Sequence, residues 1–344
     1  MAWARGRTTI SSAAAALLLS PGGWLFGPTT PPRAAAPAGL AAWQQDRAAP
    51  PAPLRATPAT WARYFRARGA RESGRLADAY PAVVGNLDGA PAALRYRANA
   101  RRSGRPAPRQ VLAFDPRGDG RVVEVFGDLR RARRVAVLVP GVGTTLANFD
   151  GGRVPRRAPA VQAQVLREAL GRVRPAAETA VIAWLGYDPP EAVDRGALRE
   201  DRAAAGARSL TRFVAGLAAQ RRGQTYTLVG HSYGSTVLGL AAPHLPASVT
   251  DVVVLASPGL GGARRVADLR TPARVWAATA DRDWIRRVPG VRVGGLGHGP
   301  QPHTPGFGAR RLPTSGVTGH DGYLVPGTDL VAALAAVVAA PPGR

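Results

Sequence analysis

The chain has 344 residues and a formal net charge of +24, and it contains no cysteine, which excludes disulfides and thiolate metal sites. Its 45% hydrophobic content is enough to bury a sizeable core, in one large domain or two at about 100–200 residues each. All 46 basic residues are arginines, spread through Ala-, Gly- and Pro-rich sequence with no recognition helix, zinc-ligand spacing or aromatic RNA platform. That pattern reads as a codon-biased, solvated surface rather than a specific nucleic-acid binder. It leaves attraction to anionic lipid or cell-wall polymer as the surface role the charge allows.

The first forty residues differ in kind from the rest. Arg5 and Arg7 precede the largely apolar run Ile10 to Leu19, and small residues at Ala34 to Ala38 offer cleavage sites. This reads as an export signal over residues 1–38, placing the protein outside the cytoplasm or in the cell envelope; the alternative is an Ala/Pro tail on a cytoplasmic protein. No stretch reaches the ~18 uninterrupted apolar residues that a transmembrane helix needs. Pro50 to Pro58 is a Pro/Ala-rich linker. Trp61, Tyr64 and Phe65 then fall at helical spacing, which predicts a helix over Thr60–Arg68 with Thr60 as N-cap and Gly69 just past its end. A second short helix is expected over Leu76–Val84. This helical segment, residues 39–108, either lies over the following domain as a lid or joins its core.

From residue 109 the pattern alternates. Strands are expected at Gln110–Phe114, Arg121–Val125, Arg134–Val139, Ala180–Trp184, Tyr226–Val229, Asp251–Ala256 and Val275–Ala280, with a last one within Gly308–Pro313. Helices are expected at Ala160–Arg172, Arg199–Gln220, the run after Gly234, and Thr328–Ala340. In the second of these Leu210, Phe213, Val214 and Leu217 repeat on one face. Two edge strands followed by strand–helix repeats imply a mostly parallel sheet with helices on both faces.

The most informative segment is Tyr226–Gly234. A β-branched, aromatic strand runs into Gly230-His231-Ser232-Tyr233-Gly234, a G-x-S-x-G pattern, and then into helix-compatible sequence. A serine on a sharp strand-to-helix turn has its hydroxyl exposed, and the turn closes only if its neighbours lack side chains. The Tyr233 N–H, at the start of the helix, would point at an oxyanion formed on Ser232.

A nucleophilic serine of this kind needs an acid and then a histidine further along the chain. The strand ending at Ala256 is followed by Ser257-Pro258-Gly259, without a carboxylate, whereas Val275–Ala280 leads directly into Asp281-Arg282-Asp283. Both aspartates are candidates, one as the acid and the other as a turn former or cap. Of the five histidines, His231 belongs to the turn and His244 ends the helix after it. His320, in Gly319-His320-Asp321-Gly322-Tyr323 just before the last helix, has the position and freedom to reach Ser232, while His298 and His303 are expected to line the mouth of the site or to bind water. These histidines lack metal-binding spacing, so no metal is expected. The loop Pro140-Gly141-Val142-Gly143 lacks the third glycine of a dinucleotide fingerprint, and the chain has no lysine for a P-loop, so no cofactor is expected either.

A wider set of residues resembles an uncharacterised group of actinobacterial α/β-hydrolase domains. The set comprises Val84-Gly85-Asn86-Leu87-Asp88-Gly89-Ala90-Pro91, Arg95, Ala98-Asn99, Val139-Pro140-Gly141 and Trp184-Leu185-Gly186-Tyr187. Gly230 to Ser235, His298-Gly299, Phe307 to Arg310 and Gly319-His320 complete it. The resemblance implies an α/β-hydrolase fold, a mostly parallel sheet flanked by helices with an N-terminal helical extension, and a Ser-Asp-His hydrolase. It favours Asp283 over Asp281, because the acid of such enzymes is often followed by D-P-I or D-P-V; here Trp284 replaces the proline. It also assigns the second oxyanion donor to Val142, since Pro140-Gly141 stands where these enzymes carry a His-Gly pair.

Three functions fit the residues. The first is a serine hydrolase acting on an ester or related acyl bond of a small molecule through Ser232, Asp283 and His320. An acyltransferase or thioesterase would use the same triad with a different acceptor, and a binding module would keep the fold without chemistry. The short connection from Ala256 to Val275 leaves no room for an inserted lid, so Gly186–Arg195 and Gly294–Gly308 are expected to shape access.

Overall fold

The computed structural model describes residues 36–46, 49–50, 55–104, 109–175 and 178–341. The expected export signal, with Arg5, Arg7 and Ile10 to Leu19, lies outside the described residues, as do 51–54 of the expected linker. Among the described residues no helix is long and apolar enough to cross a membrane.

Eight strands form one sheet: β1 (Gln110–Asp115), β2 (Arg121–Gly127), β3 (Arg134–Val139), β4 (Thr179–Leu185), β5 (Thr225–His231), β6 (Val249–Leu255), β7 (Arg274–Ala278) and β8 (Arg310–Arg311). Their order is β1-β2-β4-β3-β5-β6-β7-β8. β1 and β2 run antiparallel to their neighbours and the remaining pairs are parallel. The last strand lies within Gly308–Pro313 as expected: Gly308 takes a left-handed φ of 82°, and pairing is confined to Arg310 and Arg311.

The strands are apolar because both faces are covered. Along β3 Val135, Val137 and Val139 join one buried cluster, while Ala136 and Leu138 join the other, as a period of two requires. Helices Asp201–Gln220 and Tyr233–Ala241 pack on the first face through Leu210, Phe213, Val214, Val237 and Leu238. Helices Pro159–Val173 and Asp329–Ala339 pack on the second through Ala163, Leu166, Leu330 and Leu334. The chain therefore leaves β3 and β5 toward opposite faces. A crevice opens where these adjacent strands part, the place where open α/β sheets bind ligands.

The N-terminal segment corrects two expectations. Its aromatic helix spans Pro58–Ala67 and is capped by Thr57, whose hydroxyl accepts the Thr60 N–H at 3.2 Å; Thr60 is not the cap. Pro58 supplies a fixed φ at the first turn, where no N–H is needed. The expected Leu76–Val84 helix is two helices, Ala70–Ala79 and Pro81–Val84, because Pro81 cannot continue the ladder and Tyr80 leaves helical geometry. Two further helices, Leu40–Gln45 and Ala92–Ala100, complete the segment. Trp43, Trp61, Phe65, Leu76 and Val84 form its own core.

The residues that carry the family resemblance here are fasteners. Arg95, 2% exposed, donates Nε to the Leu112 carbonyl at 2.6 Å and pairs with Asp88 at 3.3 Å. Asn99 donates to the carbonyls of Gly85 and Val111, and Asn86 both donates to the Phe114 carbonyl and accepts its N–H at 3.0 Å. Burial pushes the Asp88 carboxyl up, against the opposing pull of Arg95 and Arg212. Burial likewise pulls the Arg95 guanidinium down.

Candidate active site

Ser232 stands at the C-terminal end of β5 with φ 53° and ψ −126°, a conformation costly to any residue with a side chain. The surroundings over-determine it. Its N–H donates to the Leu255 carbonyl at 2.9 Å, and its own carbonyl accepts the Ser235 N–H at 2.9 Å and the Ser235 hydroxyl at 2.6 Å. Ser235 also meets the Ser257 hydroxyl at 2.7 Å, and Ser257 accepts the Gly259 N–H at 3.1 Å. This buried hydroxyl relay braces the turn from below. A Cβ at Gly230 would come within 2.8 Å of the Gly234 carbonyl oxygen, which is why the motif needs glycine there.

His320 bridges serine and acid. Its Nε2 lies 2.9 Å from Ser232 Oγ, and its Nδ1 lies 2.9 Å from Asp283 Oδ1. Asp283 is 3% exposed and fully engaged, accepting the Ile285 N–H at 2.9 Å and the Tyr323 hydroxyl at 2.6 Å as well. Burial pushes its carboxyl up, but His320, Tyr323 and the Ile285 N–H together outweigh this and hold it below the usual carboxylate value. Asp281 is different: its side chain is 94% exposed and its partner is Arg286 at 3.5 Å. The structure brings Ser232, Asp283 and His320 together and leaves Asp281 at the surface.

Two aromatic neighbours fix the imidazole. His231 Nε2–H donates to the His320 carbonyl at 2.8 Å. Burial, then the adjacent His320 charge, pull the His231 ring down to about 4, so it is neutral near pH 7. The Trp284 ring lies over His320 with centroids 4.6 Å apart, occupying the position where a proline was expected.

Gly141 faces the serine across the crevice. A Cβ there would sit 2.9 Å from Ser232 Cβ and 2.9 Å from the His231 carbonyl oxygen, so only glycine allows this approach. Val142, half-buried, follows it, and Tyr233 N opens the helix on the other side. The Pro140 carbonyl is held by the Tyr187 hydroxyl at 2.7 Å. Tyr187 stacks on Trp184 at 5.9 Å and 12°, and Gly186 leaves room for that indole. The Trp184 to Tyr187 motif thus acts on the loop opposite Ser232. The Tyr233 hydroxyl donates to the Arg199 carbonyl at 2.7 Å and accepts the Ala203 N–H at 3.1 Å. Burial raises the phenols of both Tyr187 and Tyr233, which stay neutral.

His298 does not line the mouth. It is 3% exposed, donates Nε2–H to the Ala197 carbonyl at 2.7 Å, and packs edge-on against Tyr233 at 5.6 Å. The glycines around it, which suggested an open loop, instead let the backbone close over the ring. His303 is partly buried, and burial pulls its ring below the usual value. His244 is exposed at the end of the Tyr233–Ala241 helix. Tyr323, Ser235, Ser257 and Tyr187 were not singled out from sequence as site residues. Tyr323 had a signal, standing three residues after His320; the hydroxyls had none. Among the described residues no cluster of His, Asp and Glu could hold a metal ion.

A family model described as alpha/beta hydrolase matches residues 115–293, a span that includes Gly141, Ser232 and Asp283 and stops short of His320. Uncharacterised proteins of Mycobacterium bovis and Mycobacterium tuberculosis are 40% identical over 153 residues, 43% of this chain and 55% of theirs. Another uncharacterised Mycobacterium tuberculosis protein is 33% identical over 195 residues, 54% of this chain and 29% of its own length. The chain thus spans about half the length, or less, of the curated relatives it matches. Among solved structures, a Xanthomonas campestris serine hydrolase without lid is similar at 18% identity, covering 69% of this chain and 99% of that one, with a TM-score of 0.41. A Mesorhizobium loti carboxylesterase is similar at 17% identity, covering 64% and 95%, with a TM-score of 0.39.

Proposed function

Because the chain belongs to the alpha/beta hydrolase family, we propose that it is a serine hydrolase cleaving an ester or related acyl bond of a small molecule. The observation that carries this reading is the continuous chain from Ser232 Oγ through the His320 ring to Asp283, each link 2.9 Å.

In this reading Ser232 Oγ attacks the acyl carbonyl while its proton passes to His320 Nε2. Asp283 keeps the Nδ1 proton in place and stabilises the imidazolium. The Tyr233 and Val142 N–H groups receive the oxyanion, in a crevice that needs no reorganisation as charge develops. His320 returns the proton to the leaving oxygen, leaving an acyl-enzyme on Ser232. Water, deprotonated by the same imidazole, then releases the acid. An acyltransferase or thioesterase differs only in the acceptor or leaving group at these steps.

Treatment with a fluorophosphonate probe should place one adduct on the peptide carrying Ser232. An adduct on another serine, or none on folded protein, would refute the triad. For the N-terminal residues we propose export, motivated by Arg5, Arg7 and the apolar run to Leu19. The mature terminus should then fall near Ala36 to Gly39, and an intact Met1 on cytoplasmic protein would reject it.

A further inference from the structure

The segment Gly290–Gly299 turns back on itself as a miniature hairpin. Val293 and Leu296 exchange both backbone hydrogen bonds at 3.0 Å, and Gly294 and Gly295 between them take φ of 56° and 80°. Positive φ at both central positions makes the tight primed turn of two-residue hairpins, which admits glycine readily and few other residues. The flanks of this polar-looking turn are aliphatic and lie in water. Val291, Val293 and Leu296 are 58%, 72% and 42% exposed, three of the six large hydrophobic side chains exposed among the described residues. Singly exposed hydrophobics need no explanation, but a contiguous set on one projecting element does.

The hairpin does not project for want of anchorage. Gly297 N–H donates to the Leu198 carbonyl at 2.9 Å, Arg292 pairs with Glu200 at 2.8 Å, and His298 holds the Ala197 carbonyl. Gln301 donates to the carbonyls of Ile285 and Val288 at its base. A stiff base thus holds an apolar tip away from the core. The base also adjoins the crevice, because the His298 ring meets Tyr233, the residue after Ser232.

The carboxylates behind the tip are matched by arginines, Glu200 by Arg292 and Asp268 by Arg265, and further arginines remain beside them. Arg287 precedes the hairpin by three residues, and Arg264 follows Gly262, whose N–H donates to the His298 carbonyl at 3.0 Å. Both arginines are exposed, and among the described residues neither guanidinium has a carboxylate partner, although the Arg264 main-chain N–H donates to Asp268 at 2.9 Å. An aliphatic tip backed by guanidinium groups matches an anionic bilayer, where the tip enters the headgroup–acyl boundary and the arginines meet lipid phosphate. A second copy of the chain is a poorer match, since each brings a charge of +24. We propose that the hairpin Gly290–Gly299 seats this protein on an anionic lipid surface with the Ser232 crevice at the membrane side.

The absence of cysteine provides the test. Full-length Val293→Cys, labelled with a polarity-sensitive fluorophore, should shift to the blue on vesicles of phosphatidylglycerol and phosphatidylcholine. Val173→Cys, exposed at the far end of helix Pro159–Val173, should not. Replacing Val291, Val293 and Leu296 together by Ser should lower partitioning onto these vesicles at least tenfold, with an unchanged circular dichroism spectrum. Pure phosphatidylcholine or high salt should weaken binding to a similar degree. No shift at Val293, or equal binding by the triple variant, would overturn the proposal. So would a concentration-dependent dimer that ignores vesicles.

Discussion

The Tyr323 hydroxyl donates to Asp283 Oδ2 at 2.6 Å and in the same position accepts the Ala280 N–H at 2.8 Å. One phenol therefore ties the carboxylate beside His320 to the loop that leaves β7. Burial and the neighbouring carboxylate both raise that phenol, so it stays protonated and donating throughout the working pH range. Tyr323→Phe removes a hydrogen bond to a charged acceptor, worth about 1.5–3 kcal/mol. Turnover of a soluble ester should fall about 10- to 100-fold with KM little changed. An unchanged kcat would show that the other contacts suffice to hold Asp283.

The two aspartates make a sharper pair. Asp283→Asn keeps the shape of the site but loses the carboxylate that sets the His320 tautomer, and turnover should drop on the order of 10⁴. Asp281→Asn, at a side chain 94% exposed, should stay within about tenfold of the parent. Steady-state kinetics on one ester decides between them, and the reverse ranking would reassign the acid.

Gly141→Ala addresses the approach of the two loops. The added methyl would meet Ser232 Cβ and the His231 carbonyl at 2.9 Å, so the Pro140–Gly143 backbone must move outward. The proposed Val142 donor then moves with it. A loss of about 10²–10³ in kcat is expected, comparable to removing one oxyanion donor. A normal kcat in the folded variant would remove this loop from the oxyanion site.

His231 gives a pH signature in stability. Its folded value near 4 lies below the ordinary histidine value near 6.5, so the unfolded chain binds the extra proton between them. The contribution is complete above about pH 6.5 and is lost as pH falls toward 4, at most about 3 kcal/mol. His231→Gln can still donate an N–H to the His320 carbonyl but does not titrate. Urea unfolding at pH 7 and pH 5 should show the parent losing more stability than this variant, and parallel losses would contradict the assignment.

Far from the crevice, Asp251 is 1% exposed and receives Arg274 at 2.8 and 2.9 Å and the Trp276 indole N–H at 2.8 Å. Arg274→Ala leaves a buried carboxylate without its cation and should cost about 3–5 kcal/mol of stability. Chemical denaturation measures it, while activity per folded molecule should be retained.

The sheet, the helices on its faces and the serine turn were legible because each rests on a local signal. Uninterrupted aliphatic strands, the Leu210–Leu217 stripe and the glycines around Ser232 are properties of neighbouring residues. Asp283 was preferred by resemblance, and its contacts with Tyr323 and His320 are long-range facts that spacing does not contain. His298 was misplaced for the same reason: a histidine among glycines reads as exposed until the partner at Ala197, about a hundred residues earlier in the chain, is known. Trp284 over His320 has no periodicity to announce it. The helix Ala92–Ala100 was missed because its inward residues, Arg95 and Asn99, are polar and break the apolar pattern that marks a buried face.

Those polar residues have a consequence for the open edge of the sheet. β1 is the outermost strand of the sheet, and a bare edge offers its unpaired N–H and C=O groups to any other strand it meets. Here Asn86, Arg95 and Asn99 occupy groups of Val111, Leu112 and Phe114 one by one, so side chains from a turn and from helix Ala92–Ala100 stand where a ninth strand would dock. A fragment begun at residue 109 would keep every member of the crevice, yet it would expose a ready template along β1. Such a fragment should therefore fail by strand-to-strand association, even where the sheet itself still folds.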